Sequence, residues 1–157
     1  MAIPYRGNTG LSSYFLTSST YCKRSLFQTD RMAGLLVEVL QHYRARQKYL
    51  LHEFVIMPDH FHLLLTPTES LERAMQLIKG GFSFRAKKEL EFCGEIWEHS
   101  FHDRRVRDMA EYARLREYIY LNPVRRGLVE LPQEYLYSSA ASLAGVDPIP
   151  QRLKPVA

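Results

Sequence analysis

The chain has 157 residues, 46% of them hydrophobic and 24% charged, with a formal net charge of +4. That balance excludes a disordered polar polymer, and the length suits one folding domain over residues 1–157. Cys22 and Cys93 form neither a CxxC pair nor a disulfide framework, the start "MAIPYRGNTG" lacks the apolar stretch of a signal peptide, and no segment approaches the roughly 18 apolar residues of a membrane span, so a soluble cytoplasmic protein without a membrane partner is expected.

The first element is "SSYFLTSST", residues 12 to 20, rich in β-branched and aromatic residues and bounded by Gly10. It reads as a strand. Leu35, Leu36, Val39, Leu40 and Tyr43 then recur at helical spacing, which predicts a helix over roughly 29 to 48 with Asp30 near its start. "YLLHEFVIM" and "HFHLLLT" are apolar runs joined by "PD", a dipeptide suited to a tight turn, and predict a hairpin of strands over roughly 49 to 57 and 60 to 66. A second helix, capped by Thr68 or Ser70, carries Leu71, Met75 and Ile78 and is expected to break at Gly80-Gly81. "EIWEHSFHDRRV", 95 to 106, partly alternates and predicts a fourth strand. A last helix over 108 to 123 opens at Asp108 and closes before Pro123. The tail, with Pro132, Pro148, Pro150 and Pro155, is expected to be loops and short turns. The resulting order, β-α-β-β-α-β plus a further helix, is that of an α+β ferredoxin-like antiparallel sheet with helices on one face and the other face available.

Basic residues crowd the second half: Lys79, Arg85, Lys87, Lys88, Arg104, Arg105, Arg107, Arg114, Arg116, Arg125 and Arg126. Such clustering fits a surface facing phosphates. The stretch "FHDRRVRD" also has a plainer reading, a solvated strand end partly neutralised by Asp103 and Asp108.

The pair in "MPDHFHLLL" is the most distinctive chemistry. Positions two apart on a strand share a face, so His60 and His62 project side by side while Phe61 enters the opposite layer. Two imidazoles can grip one cation; the plainer alternative is two polar residues on a half-exposed strand. Zinc, manganese and magnesium all remain open on these residues alone, and a third ligand is required. His42, His52, His99 and His102 have no diagnostic spacing to the pair.

In "EYARLREYIYLNPVRRG", Tyr112, Leu115 and Ile119 share a stripe that predicts the core face. Tyr118 falls to one side of it with Glu111 and Asn122, and Tyr120 to the other, near Arg116. Tyr118 and Asn122 are one turn apart. A phenol in that setting is either amphipathic packing or a nucleophile toward a phosphodiester.

Taken together, "VIMPDHFHLLLTP", "EIWEHSFHDRRVRD" and "EYIYLNPVRRGLV" resemble the single-strand-specific tyrosine transposases with an HUH motif, in particular the REP-associated branch, over roughly residues 10 to 140. The resemblance implies a ferredoxin-like sheet with the active site on its open face. It further implies that His60 and His62 bind Mg²⁺ or Mn²⁺, that Asn122 stands in the place of a polar third ligand, and that Tyr118 is the nucleophile that cleaves single-stranded DNA, presented by a hairpin, through a 5′-phosphotyrosine. Lys79, Arg85, Lys87, Lys88, Arg104, Arg105, Arg107, Arg125 and Arg126 are then the DNA-contact candidates. Trp97, Phe101 and Tyr120 are candidates for stacking on bases, although core packing is the usual role of such aromatics. His102 can assist proton transfer or simply sit at the surface. Relatives of this kind act as monomers or as homodimers that exchange the tyrosine helix. Two other functions fit parts of the pattern: a non-catalytic RNA- or DNA-binding module on the same fold, and a metal hydrolase that activates water at the histidine pair.

Overall fold

The alternating apolar runs around Pro58-Asp59 pair as the sequence predicts. In the computed structural model, which describes residues 12–142, 145–150 and 153, strands β1 (Ser13–Ser19), β2 (Tyr49–Met57), β3 (His60–Pro67) and β4 (His102–Val106) form one antiparallel sheet in the order β2-β3-β1-β4. Gly10 and Pro155 lie outside the described residues. The turn between β2 and β3 is pinned from two sides, since Thr20 N–H donates to the Asp59 carbonyl at 3.0 Å and Phe27 N–H to the Pro58 carbonyl at 2.9 Å. A bulge between Leu51 and Glu53 inserts His52 into β2 and resets its alternation, so that Leu51, Phe54 and Ile56 all reach the same core.

Two helices cover one face. Helix α1 (Asp30–Ala45) starts at Thr29, whose hydroxyl accepts from Met32 N–H, and α2 (Leu71–Leu90) starts at Ser70, whose hydroxyl accepts from Arg73 N–H. Leu36, Leu40, Met75, Ile78 and Phe82 of these helices pack on Leu16, Phe61, Leu63 and Leu65 of the sheet, all buried. At about 25 cal/mol per Å² of apolar surface, this layer is the main stabilising term of the fold. The expected break at Gly80-Gly81 does not occur: α2 runs through both glycines. Gly81 is needed for contact, because a Cβ there would sit 2.9 Å from the Tyr43 ring of α1, whereas nothing in the structure explains Gly80.

Helix α3 (Met109–Arg125), capped by Asp108, lies across the other face. Its Tyr112 and Ile119 pack with Val55, Met57, Leu64 and Val106 in a second, smaller core, so that face is partly covered. Pro123 does not close α3, which continues two residues to Arg125. In the final turn a proline forfeits only one backbone hydrogen bond, and the helix ends instead at Gly127, whose φ of +73° suits the left-handed position after a C-cap. The expected fourth strand is shorter than 95 to 106: only His102–Val106 is β4, and ahead of it Trp97 makes a single bridge to Thr20 while its ring packs against Phe27, Phe61 and Phe82. Beyond α3, Ile56 N–H donates to the Tyr137 carbonyl and Ser139 N–H to the Phe54 carbonyl, so the segment around 137–139 covers the outer edge of β2. Among the described residues no helix is long and apolar enough to cross a membrane.

Candidate active site

Strand alternation sends Phe61 into the α1–α2 core and His60 and His62 to the α3 face, their ring centroids 4.8 Å apart. His62 is 4% exposed. Its Nδ1 lies 2.8 Å from Oγ1 of Thr17, the residue opposite it on β1, while its Nε2 is buried with no hydrogen-bond partner. Phe15, two residues before Thr17, stacks on the imidazole at 5.2 Å. Burial first, and the neighbouring His60 second, push His62 down to about 3, so the ring is neutral. His60 is also held below the usual histidine range, by burial that outweighs the opposing pull of Asp59. Its Nδ1 is 2.7 Å from the Asp59 carboxylate. Burial works to raise Asp59, yet the hydrogen bond from His60, with the charge of Arg126, keeps it below the ordinary carboxylate value. The His60–Asp59 contact is therefore a neutral N–H donating to a carboxylate.

From α3, Tyr118 meets His62 edge-on at 5.3 Å and Phe15 at 6.0 Å, with the Arg125 guanidinium 5.7 Å above its ring. It is 41% exposed, open to a large substrate. Asn122, one turn further along the unbroken helix, is buried. Tyrosine and histidines belong to the same chain. Among the described residues no third His, Cys, Asp or Glu completes a metal-holding cluster with the pair.

The other tyrosine is placed differently. Tyr120 falls on the opposite flank of α3 and lines a separate cleft of about 880 Å³ with His52, Glu53, Tyr112 and Arg116. Burial and the Glu53 carboxylate push its phenol up to about 12. His52 is committed on both nitrogens, to the Pro148 carbonyl at 2.7 Å and Thr66 Oγ1 at 2.8 Å. His102 is exposed on β4, in register with Thr17 and so on the same face as His62.

The basic residues divide between two faces. Arg104 stands opposite Phe15 on the histidine face and pairs with Glu111 at 2.6 Å, and Arg126 approaches Asp59 at 3.6 Å. Arg105 alternates to the other face, and Arg107 is exposed just past β4. Lys79, Arg85, Lys87 and Lys88 ride on α2, across the sheet from the histidines. Lys79 donates to the Glu98 and Ser100 carbonyls, and Arg85 pairs with Glu38 at 2.8 Å and Glu89 at 2.6 Å. Trp97 is core packing, with Nε1 donating to the Lys79 carbonyl. Sequence reasoning missed Phe15, Thr17 and Asp59. Period-two alternation in β1, once aligned antiparallel to β3, is the signal that finds the first two.

The family model described as "Transposase IS200 like" matches residues 10–122. The chain belongs to the IS200-like transposase family. It is a transposase, an enzyme that cleaves and rejoins DNA strands. It is 26% identical over 133 residues to the REP-associated tyrosine transposase of Escherichia coli K12, covering 81% of this chain and 75% of that one. A REP-associated tyrosine transposase homologue of Haemophilus influenzae is 27% identical over 129 residues, covering 70% and 73%. The solved structure of a REP-associated tyrosine transposase bound to a REP hairpin has a TM-score of 0.73 at 21% identity, covering 94% of this chain and 89% of the other. That match extends the shared fold of this transposase family across almost the whole chain.

Proposed function

We propose that this transposase cleaves single-stranded DNA, presented by a hairpin, through attack of Tyr118 on a phosphodiester beside a divalent cation at His60, His62 and Asn122. The observation that carries the reading is the buried Nε2 of His62, a polar atom without a partner, in a neutral ring beside a second neutral imidazole and a half-exposed phenol. A buried unsatisfied nitrogen costs about 1–3 kcal/mol, a penalty that ligation removes. The two imidazoles and the amide would hold a divalent cation; imidazole by itself suits zinc as well, and the choice of Mn²⁺ or Mg²⁺ rests on the resemblance to the HUH transposases. Bound there, the ion supplies Lewis-acid polarisation of the scissile phosphate and offsets charge in the transition state.

The remaining chemistry belongs to the chain. Tyr118 Oη forms a bond to phosphorus as the bond to the 3′-oxygen breaks; the phenolic proton leaves to water at this half-exposed site, and the departing 3′-oxygen takes one up. The Arg125 guanidinium, 5.7 Å above the ring, is placed to meet the incoming phosphate. One phosphodiester is exchanged for another, so attack by a 3′-hydroxyl on the phosphotyrosine rejoins strands without an external energy source. Arg104, Arg125 and Arg126 frame this face and meet the backbone of the DNA. The hairpin preference rests on the REP hairpin bound by the structural neighbour. With Tyr118 and the histidines in one chain, a single copy suffices.

Incubation with a labelled single-stranded hairpin and Mn²⁺ tests the proposal. Cleavage that leaves a free 3′-hydroxyl and a protein-linked 5′ end supports it. A free 5′-phosphate points to hydrolysis, and binding without cleavage to a non-catalytic module.

A further inference from the structure

Both imidazoles are held at Nδ1. His62 Nδ1 meets Thr17 Oγ1 at 2.8 Å, and His60 Nδ1 meets Asp59 Oδ1 at 2.7 Å. A carboxylate only accepts, so His60 must carry its proton on Nδ1, which leaves the lone pair on Nε2. For His62 the alternative tautomer would bury an N–H with no acceptor, because its Nε2 has no partner. Neither support is loose. Thr17 lies in the middle of β1 between β3 and β4, and Asp59 sits in a turn whose backbone is fixed by Thr20 and Phe27. Asp59 has a second partner: Arg126, the residue that caps α3, places NH1 3.6 Å from the same carboxylate oxygen. That pair is half-exposed and too long for a hydrogen bond, so it adds little to the hold on Asp59.

We propose that Thr17 and Asp59 are positioning residues that preset His62 and His60 as Nδ1–H tautomers, leaving both Nε2 lone pairs for the ion. The inference rests on the metal reading above and extends it to two residues that touch neither the ion nor DNA. Its physical basis is general: a histidine ligand is oriented, and its basicity set, by the acceptor on its other nitrogen, and loss of that acceptor weakens metal binding about tenfold to a hundredfold.

The test uses the full chain without metal and then with Mn²⁺ alone. Nitrogen-15 NMR of the imidazoles at about pH 8, where histidines are neutral, reads tautomers directly. The wild type is expected to show Nδ1–H for both residues, and Thr17→Val and Asp59→Ala to move His62 and His60 respectively toward the Nε2–H form. Calorimetric titration with Mn²⁺ is expected to give about tenfold to a hundredfold weaker binding for each variant, with Thr17→Ser restoring wild-type affinity. A wild-type spectrum with Nε2–H at His62 overturns the proposal, and needs no variant to fold. So does Mn²⁺ binding that Thr17→Val and Asp59→Ala leave unchanged. Wild-type Mn²⁺ binding that is indifferent to His60→Ala and His62→Ala would instead reject the metal reading, a result separate from either of these.

Discussion

Tyr118 of α3 and His62 of β3, 56 positions apart in the chain, meet edge to face with their rings 5.3 Å apart and 71° between planes. Strand alternation and helix periodicity, two unrelated regularities, converge on one spot of the sheet. If that spot holds the ion, His60→Ala and His62→Ala should each lower strand cleavage by about a thousandfold, equivalent to ~4 kcal/mol of transition-state stabilisation. A chelator should do the same to the wild type, and Mn²⁺ should reverse it. Single-turnover cleavage of a hairpin oligonucleotide measures all three.

Acid should destabilise the protein through its buried histidines. His62 is depressed to about 3 in the folded state, and His60 and His52 are lowered in the same direction, each chiefly by burial. Above about pH 6.5 neither folded nor unfolded chain binds these protons, and the contribution is fully present. As pH falls below that value the unfolded chain takes them up first, so stability declines by up to about 1.4 kcal/mol per pH unit per histidine. From pH 7 to 5 His62 alone accounts for roughly 2 kcal/mol. Urea midpoints at the two pH values check this, and His62→Gln should show a shallower loss.

The two glycines of α2 should respond differently to alanine. At Gly80 an added methyl meets open space, so Gly80→Ala should raise stability by about 0.5–1 kcal/mol, the usual helix-interior difference. At Gly81 the same methyl arrives 2.9 Å from the Tyr43 ring, and that gain should be cancelled or reversed. Thermal unfolding of both variants decides it.

DNA contacts should follow the face of the sheet. Arg125→Ala, beside Tyr118, should weaken hairpin binding and reduce the slope of log affinity against log salt by about 1. Arg85→Ala, on the opposite layer and held by Glu38 and Glu89, should leave both unchanged. Fluorescence anisotropy over a salt series distinguishes them.

The hairpin around Pro58-Asp59, the first helix and the stripe of Tyr112 and Ile119 were legible because each rests on local periodicity strong enough to need no tertiary information. Gly80-Gly81 and Pro123 misled for the opposite reason. Local propensity favours a break at both, and tertiary context overrides it: Ile78 and Phe82, on either side of the two glycines, are both buried in the core on one continuous helix, and a proline in the last turn costs little. Trp97 resembled a strand residue but is fixed by Phe27, Phe61 and Phe82, which come from three distant elements. Thr17 and Asp59 were hidden in plain roles, a β-branched strand former and a turn residue. Only the register of β1 on β3 sets Thr17 against an imidazole 45 positions away.

The central claim is that the Tyr118 oxygen takes the DNA strand, and the most direct test is mass spectrometry of the peptide that stays covalently joined to DNA after reaction with a hairpin and Mn²⁺. The account predicts a nucleotide on Tyr118, lost in Tyr118→Phe and retained in Tyr120→Phe. A nucleotide on Tyr120, or an adduct that survives Tyr118→Phe, would contradict it.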